Sequence, residues 1–332
     1  MKKFTLTLST LILVFFTMLF CGKKPEASKA MESKTEDLLK FIPGETKGVI
    51  FLDMHRIMTT EMANKLIKED KNYKKYEEFI QKTGIDPQKD VYFVAVSLGG
   101  ELGEKKNMEG AGVVNLKYKK ETLLSLIREK AEEEGQAVLE EDYNGITVYG
   151  IKEEEDEDEG HFSFLDDSHL VVGNRNGVKS VLDVIQKKRQ NVFKNQALSD
   201  LIQKTNKNAM LWGAILFPPA AREEAASKNP MLQNLKDISA TSFFFDYKNK
   251  AIDLEINLMS SDETKNKQIA DLLNGFKAMG GMAAAEKPEV GELMNKIQIQ
   301  ALKDQIKVTA SIPEALIDKL KEKKPEKEEE QK

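Results

Sequence analysis

The chain has 332 residues, 40 % apolar and 32 % charged, with a formal net charge of −5. That is enough apolar material for a sizeable core, and the length suits two ordinary domains or one large one. The acidic balance, with no basic stripe interleaved with aromatics, speaks against nucleic-acid binding. Cysteine occurs once, which excludes an intramolecular disulfide and a thiolate metal cluster, so the body is held by burial alone.

Met1-Lys2-Lys3 precede an uncharged run from Phe4 to Phe20, and Cys21-Gly22-Lys23-Lys24-Pro25 follow it. A segment of this kind is an export signal and not part of the fold. It resembles bacterial lipoprotein signals processed by signal peptidase II. The resemblance implies removal of residues 1–20, lipidation of Cys21 and a polar tether over 21–40. Gly22 after the cysteine resembles the pattern for export to the outer membrane. Phe20 departs from the usual Gly, Ala or Ser at that place, which leaves two other fates open. An uncleaved run would be about 26 Å long as a helix, short for a span of about 20 residues, and would anchor the chain in the inner membrane. Cleavage elsewhere would release a soluble exported protein. Loss of Lys2 and Lys3 leaves 48 basic against 55 acidic residues, a net of −7.

In chain order, GVIFLD at 48–53 reads as a buried strand. Met62, Leu66, Tyr73, Tyr76, Phe79 and Ile80 predict a helix over 59–82, stopped at Gly84. Strands follow at 91–98 and 110–118, then a helix over 120–134 stopped by Gly135. Asn144-Gly145 turns into a strand at 146–151. Strands at 162–165 and 169–173 flank Asp166-Asp167-Ser168, and a helix covers 177–187. Further on, 209–217 is a strand and Pro218-Pro219 opens a helical stretch to about 237. Residues 239–247 and 251–259 alternate in period two as a hairpin. Ser260 and Glu263 have capping-box spacing. The next helix buries Ile269, Leu272, Leu273, Phe276 and Met279 and is broken at Gly280-Gly281. A short helix at 289–295, a hairpin at 297–302 and 305–312 and a helix at 313–322 close the fold. The tail 323–332 is nearly all charge and reads as disordered.

The two parts share one element order, which points to an internal duplication. Asn115-Leu116 with Glu121-Thr122 and Asn257-Leu258 with Glu263-Thr264 repeat one spacing at a strand-to-helix exit. The expected class is α+β: two similar βαββαβ-like, ferredoxin-like halves at 41–190 and 191–322. Their sheets are mainly antiparallel with helices on one face, and are either separate or joined edge to edge. FIPGETKGVIFLD at 41–53, VVGNRNGVKSVLDVI at 171–185 and NQALSDLIQKTNKNAMLWGAILF at 195–217 resemble uncharacterised exported bacterial α/β proteins. That resemblance implies the fold and no activity.

No catalytic motif is present. His55, two residues after Asp53, shares a strand-exit face with it, and His161 and His169 flank a hairpin. None has the spacing of a zinc motif, and surface or strand-end roles are the simpler reading. The seven carboxylates Glu153–Glu159 read as a solvated loop, with weak Ca²⁺ attraction or a basic partner as the functional alternative. Ser97-Leu98-Gly99-Gly100 lacks the leading glycine of a nucleophile elbow. Gly173-Asn174-Arg175-Asn176-Gly177 offers amides at a helix start but reads as a turn using positive φ. Leu273–Ala285 is either a core helix ending in a loop or a Met-rich flap over a binding surface. Trp212, Phe217 and Phe243-Phe244-Phe245 fill the core or line a groove between the halves.

The expected function is therefore a lipid-anchored envelope protein that binds or scaffolds, without cofactor, metal or catalytic residues, and with Cys21 as the modified position. Its partners are the membrane, through the anchor, and an envelope protein or small apolar ligand. A lipid or protein carrier is one alternative. A metal-dependent envelope hydrolase, built on Asp53 and His55 or on Asp166, Asp167 and His169, is the other.

Overall fold

The computed structural model describes residues 35–69, 73–101, 107–152, 160–228, 233, 235–282 and 287–322. Cys21, the signal, most of the tether, Glu153–Glu159 and the tail from 323 lie outside them. The chain is α+β, and the strand pairings described are antiparallel. It divides into two units, one reaching to Ile215 and one from Leu216.

The first unit contains β1 (Gly48–Asp53), β2 (Val91–Gly100), β3 (Met108–Leu116), β4 (Ala137–Tyr143), β5 (Ile146–Lys152), β6 (Gly160–Phe164), β7 (His169–Gly173) and β8 (Leu211–Leu216). Their order is β8-β1-β2-β3-β7-β6-β5-β4. Helices α1 (Met54–Met58), α2 (Glu61–Glu69), α3 (Tyr73–Thr83) and α4 (Pro87–Asp90) join β1 to β2. Helix α5 (Lys120–Glu133) leads from β3 to β4, and α6 (Arg175–Ile185) follows β7. Residues of β1 are buried on both sides of the strand. On one face Leu52 packs with Met54, Met58, Ile67, Tyr76 and Ile85, joined by Leu123, Leu124 and Ile127 of α5. Residues Val49, Phe51, Ala95, Val113 and Val171 alternate to the other face and are fully buried, as are Val178, Val181 and Leu182 of α6. Phe51 stacks on Phe93 at 5.8 Å and on Trp212 at 5.5 Å. Helices therefore cover both faces of this sheet and not one, which is why β1 reads as an unbroken apolar run.

The second unit contains β9 (Ala240–Lys248), β10 (Ala251–Met259), β11 (Ile297–Ala301) and β12 (Gln305–Pro313), in the order β11-β12-β10-β9. Its helices are α8 (Pro219–Lys228), α9 (Glu263–Met282), α10 (Pro288–Lys296) and α11 (Glu314–Glu322). Ile238, Ile269, Ala270 and Ile306 form its buried cluster, with Phe217, Leu258, Leu273 and Ile299 against it. Asn249 and Lys250 close the β9–β10 hairpin with φ of 52° and 58°. These are the left-handed conformations of a two-residue hairpin turn.

The same pairing order occurs in each unit. Strands β2-β3-β7-β6 match β9-β10-β12-β11: a hairpin, a helical crossover, then a last strand seated against the second hairpin strand. The Asn-Leu repeats fall at equivalent positions. Asn115 pairs Phe93 and His169, and Asn257 pairs Ser242 and Lys307. A ferredoxin-like order would seat β3 beside β1, whereas here β1 pairs β2 and β2 pairs β3 as a meander. Among the described residues the β4–β5 hairpin has no counterpart in the second unit, and β4 differs from the expected elements because Glu140, Glu141 and Asp142 mask its pattern.

Residues 191–215, expected to open the second half, pack with the first. Val192 donates its amide to Ile42 O at 2.8 Å, Asn195 Nδ2 donates to Gly44 O at 2.8 Å, and β8 pairs β1. This stretch also holds α7 (Gln196–Lys204), capped by Asn195. Two glycines set the seat of α6. A Cβ at Gly173 or Gly177 would lie 2.2 Å from Gly110 O. Replacing Gly177 with Ala forces the helix off β3 and is expected to cost about 1–3 kcal/mol, as overpacking does. Urea unfolding of Gly177→Ala against the parent reads that loss.

Candidate binding surface

The histidines do not converge. Asp53 is buried and caps α1, accepting the Arg56 amide at 2.9 Å, while His55 Nδ1 lies 3.1 Å from Gln88 O. His161 pairs Gly173 in the β6–β7 hairpin, at the far end from the turn that holds His169. Among the described residues no group of three or more His, Cys, Asp or Glu is placed to hold a metal.

The Asp166–His169 turn superficially resembles a triad. His169 Nδ1 lies 2.8 Å from Asp166 Oδ2 and 3.1 Å from Ser168 Oγ. A nucleophilic triad needs the hydroxyl and the carboxylate on opposite ring nitrogens, and here both sit on one. The other nitrogen, Nε2, faces Asn115 Nδ2 at 3.2 Å, and the same amide donates to Ser168 O at 3.1 Å. Nε2 therefore accepts, and Nδ1 carries the proton that Asp166 takes. Tyr118 closes the turn by donating to the carbonyls of Asp166 and His169. Burial opposes ionisation of Asp166, but the Ser168 amide and His169 outweigh it and hold its carboxyl below the usual range. Burial, with Asp166 and Asp167 nearby, pushes Tyr118 up to about 12. The cluster builds a turn.

Other candidates are also structural. Asn174 caps α6, accepting the Gly177 amide at 2.8 Å, and its Nδ2 donates to Met108 O at 2.7 Å. The glycines of that loop serve close approach to Gly110 and not positive φ, and Asn174 itself has φ −78°. Ser97 is buried and donates to Ala111 O. Trp212 stacks in the core of the first unit, and Phe217 packs on the buried cluster of the second. Phe243 and Phe245 make an edge contact at 6.2 Å.

Among the described residues the most exposed large apolar side chains lie at the end of α9. Asp262, and not Ser260, caps this helix, accepting the amides of Thr264 and Lys265 at 2.9 and 3.1 Å. Asn266 is fully buried and donates to Ser260 O and Leu302 O. Ile269 and Ala270 complete the buried face. Beyond them the helix runs through Gly280-Gly281 to Met282 and is not broken there. A Cβ at Gly280 would lie 3.1 Å from Met294 Sδ, so that glycine admits α10 and does not end the helix. Phe276 is 43 % exposed, Met279 66 % and Met282 77 %, where a core stripe was expected. Aligned on the repeated Glu-Thr, α5 ends opposite Gly275, so Phe276–Met282 are turns that the first unit lacks. Lys277 is the one charged residue between Asp271 and Glu286, and its Nζ donates to Ile297 O at 2.6 Å. The mixed character of Leu273–Ala285 resolves as a helix with a bare apolar end, and 283–285 lie outside the described residues.

Tyr118 gives a direct pH test. Its folded pKa lies above the ordinary tyrosine value of about 10, so its contribution to stability is complete below pH 10 and is lost as pH rises through about 12. Ultraviolet titration of the folded protein is expected to show an ionisation near that pH that Tyr118→Phe removes.

No family model matches the chain, and no curated protein matches it. Among solved structures, crystal forms III, I and IV of TP0453 align with 86 % of this chain and 98, 97 and 96 % of theirs. Sequence identities are 11, 12 and 9 %, and TM-scores 0.45, 0.45 and 0.42.

Proposed function

We propose that this chain is a lipid-anchored protein of the bacterial envelope that binds a partner through the end of α9 and catalyses nothing itself. The observation that carries the binding role is the exposed Phe276, Met279 and Met282 on turns absent from the repeat counterpart. These side chains are exposed and are not among the residues of the second unit's buried cluster. Methionine suits such a surface because its unbranched, polarisable chain adapts to the shape it meets. The signal ending at Cys21 supplies the anchor, and the engagement of each titratable cluster in caps and turns supports a non-catalytic reading.

Two measurements test this. Intact mass spectrometry of the membrane-extracted protein is expected to give a chain starting at acylated Cys21, and a chain that keeps residues 1–20 or is cut elsewhere without acylation defeats the anchor. A photo-cross-linking residue at Met279, placed in cells, is expected to give one discrete adduct, with none from Asn274 on another side of the helix. Equal labelling from both positions defeats the surface. Met279→Glu with Met282→Glu should change stability by no more than about 0.5 kcal/mol, as expected for exposed sites, while removing the adduct.

A further inference from the structure

We infer that β11 is a docking edge for a second copy of this chain, pairing antiparallel with the same strand about a two-fold axis at Gln300. In the second unit β11 ends the strand order, with β12 on one side and no described strand on the other. The Leu302 amide donates to Gln305 O at 2.8 Å, so the backbone groups of Leu302 face β12. Alternation along an antiparallel strand turns Gln300 and Gln298 the same way. Ile297, Ile299 and Ala301 therefore direct their amides and carbonyls outward. Ile297 is engaged, since its amide donates to Met294 O and its carbonyl accepts from Lys277. Ile299 and Ala301 are left as the open part of the edge.

The internal repeat shows what sits on such an edge. The counterpart of β11 is β6, and β5 pairs antiparallel on it, with Tyr149 opposite Phe162 and Ile151 opposite Gly160. Among the described residues the second unit has no equivalent of β5. The segments 22–34, 153–159 and 323–332 of this chain are dominated by charge or interrupted by proline, a composition that strands are depleted in. The sequence of β11 is compatible with itself. Pairing about Gln300 lets Ile299 exchange two hydrogen bonds with Ala301 of the second copy, sets Gln300 against Gln300, and sets Gln298 against Leu302, which is 39 % exposed. No charge meets a like charge. Edge strand β4 is guarded in the way natural edges are, because self-pairing there would oppose Glu140 to Glu140, and Glu140 and Glu141 are tied to Arg128, Arg175 and Lys179. Four backbone hydrogen bonds make a small contact, so the pair is weak in solution and best captured covalently.

The test uses the full chain in mild detergent and a glutathione redox buffer, with Gln300→Cys or Gln298→Cys introduced. Residues opposite each other at a non-hydrogen-bonded position have Cα atoms about 4.5 Å apart, within the range of a disulfide. Gln300→Cys is expected to form a 300–300 disulfide dimer, identified by peptide mass, while Gln298→Cys forms none. Adding Ala301→Pro, which removes an outward amide and no bond to β12, is expected to abolish the dimer with the thermal melt unchanged. If Ala301→Pro does not fold, Gln298→Lys with Leu302→Lys sets lysine against lysine on exposed positions and should give the same loss. Equal cross-linking at 298 and 300, no cross-linking at 300, or a dimer that survives these substitutions overturns the proposal.

Discussion

Burial of β1 on both faces is the constraint on which the first unit depends. Six residues, GVIFLD, lie between β2 and β8, and each side chain has to be matched by a helix layer above or below. Phe51 is fully buried between the rings of Phe93 and Trp212. Truncating a phenylalanine so placed typically costs about 3–5 kcal/mol. Leu52 points the other way, into the layer of α1 to α4. The strand cannot slip by one residue without exchanging these two environments. Register, both helix layers and the attachment of 191–215 follow from that strand.

The repeat then explains where the chain has freedom. Both units solve the same packing problem with a hairpin, a crossover helix and a returning strand. Around this shared arrangement the units differ. The first unit adds the β4–β5 hairpin, and the second lengthens the crossover helix by Phe276–Met282 and leaves β11 open. A bare apolar helix end and an unguarded strand edge are costly to keep in water unless something covers them. The two surfaces invite different partners, one recognising apolar side chains and one recognising backbone.

Polar groups near strand ends show the opposite tendency. Asp53, Asp166 and Asn174 sit where a sequence reader looks for chemistry, and each accepts a backbone amide in a cap or turn. His169 braces one of these turns through Asp166. Tyr118 and Asn115 complete the β6–β7 turn from β3, and both ring nitrogens of His169 are engaged within it.

Periodicity and turn chemistry were legible because they are local. Period-two alternation located the strands at 239–247 and 251–259, Asn144-Gly145 marked its hairpin, and the spaced Asn-Leu and Glu-Thr pairs exposed the repeat. Strand order was not legible, because β1 carries no mark that says whether β2 or β3 lies beside it. Gly280-Gly281 read as a break because glycine disfavours helix by about 1 kcal/mol each, yet the helix continues to Met282, and at Gly280 the missing side chain leaves room for Met294. Phe276 and Met279 fit a core stripe by spacing alone, and only their exposure in the folded chain shows that they are surface. The sequence by itself determined the α+β class and the duplication, since these are written in composition and local pattern. Tertiary structure alone decided the neighbours of each strand, the second helix layer and the exposed surfaces, because those depend on contacts between residues far apart in the chain.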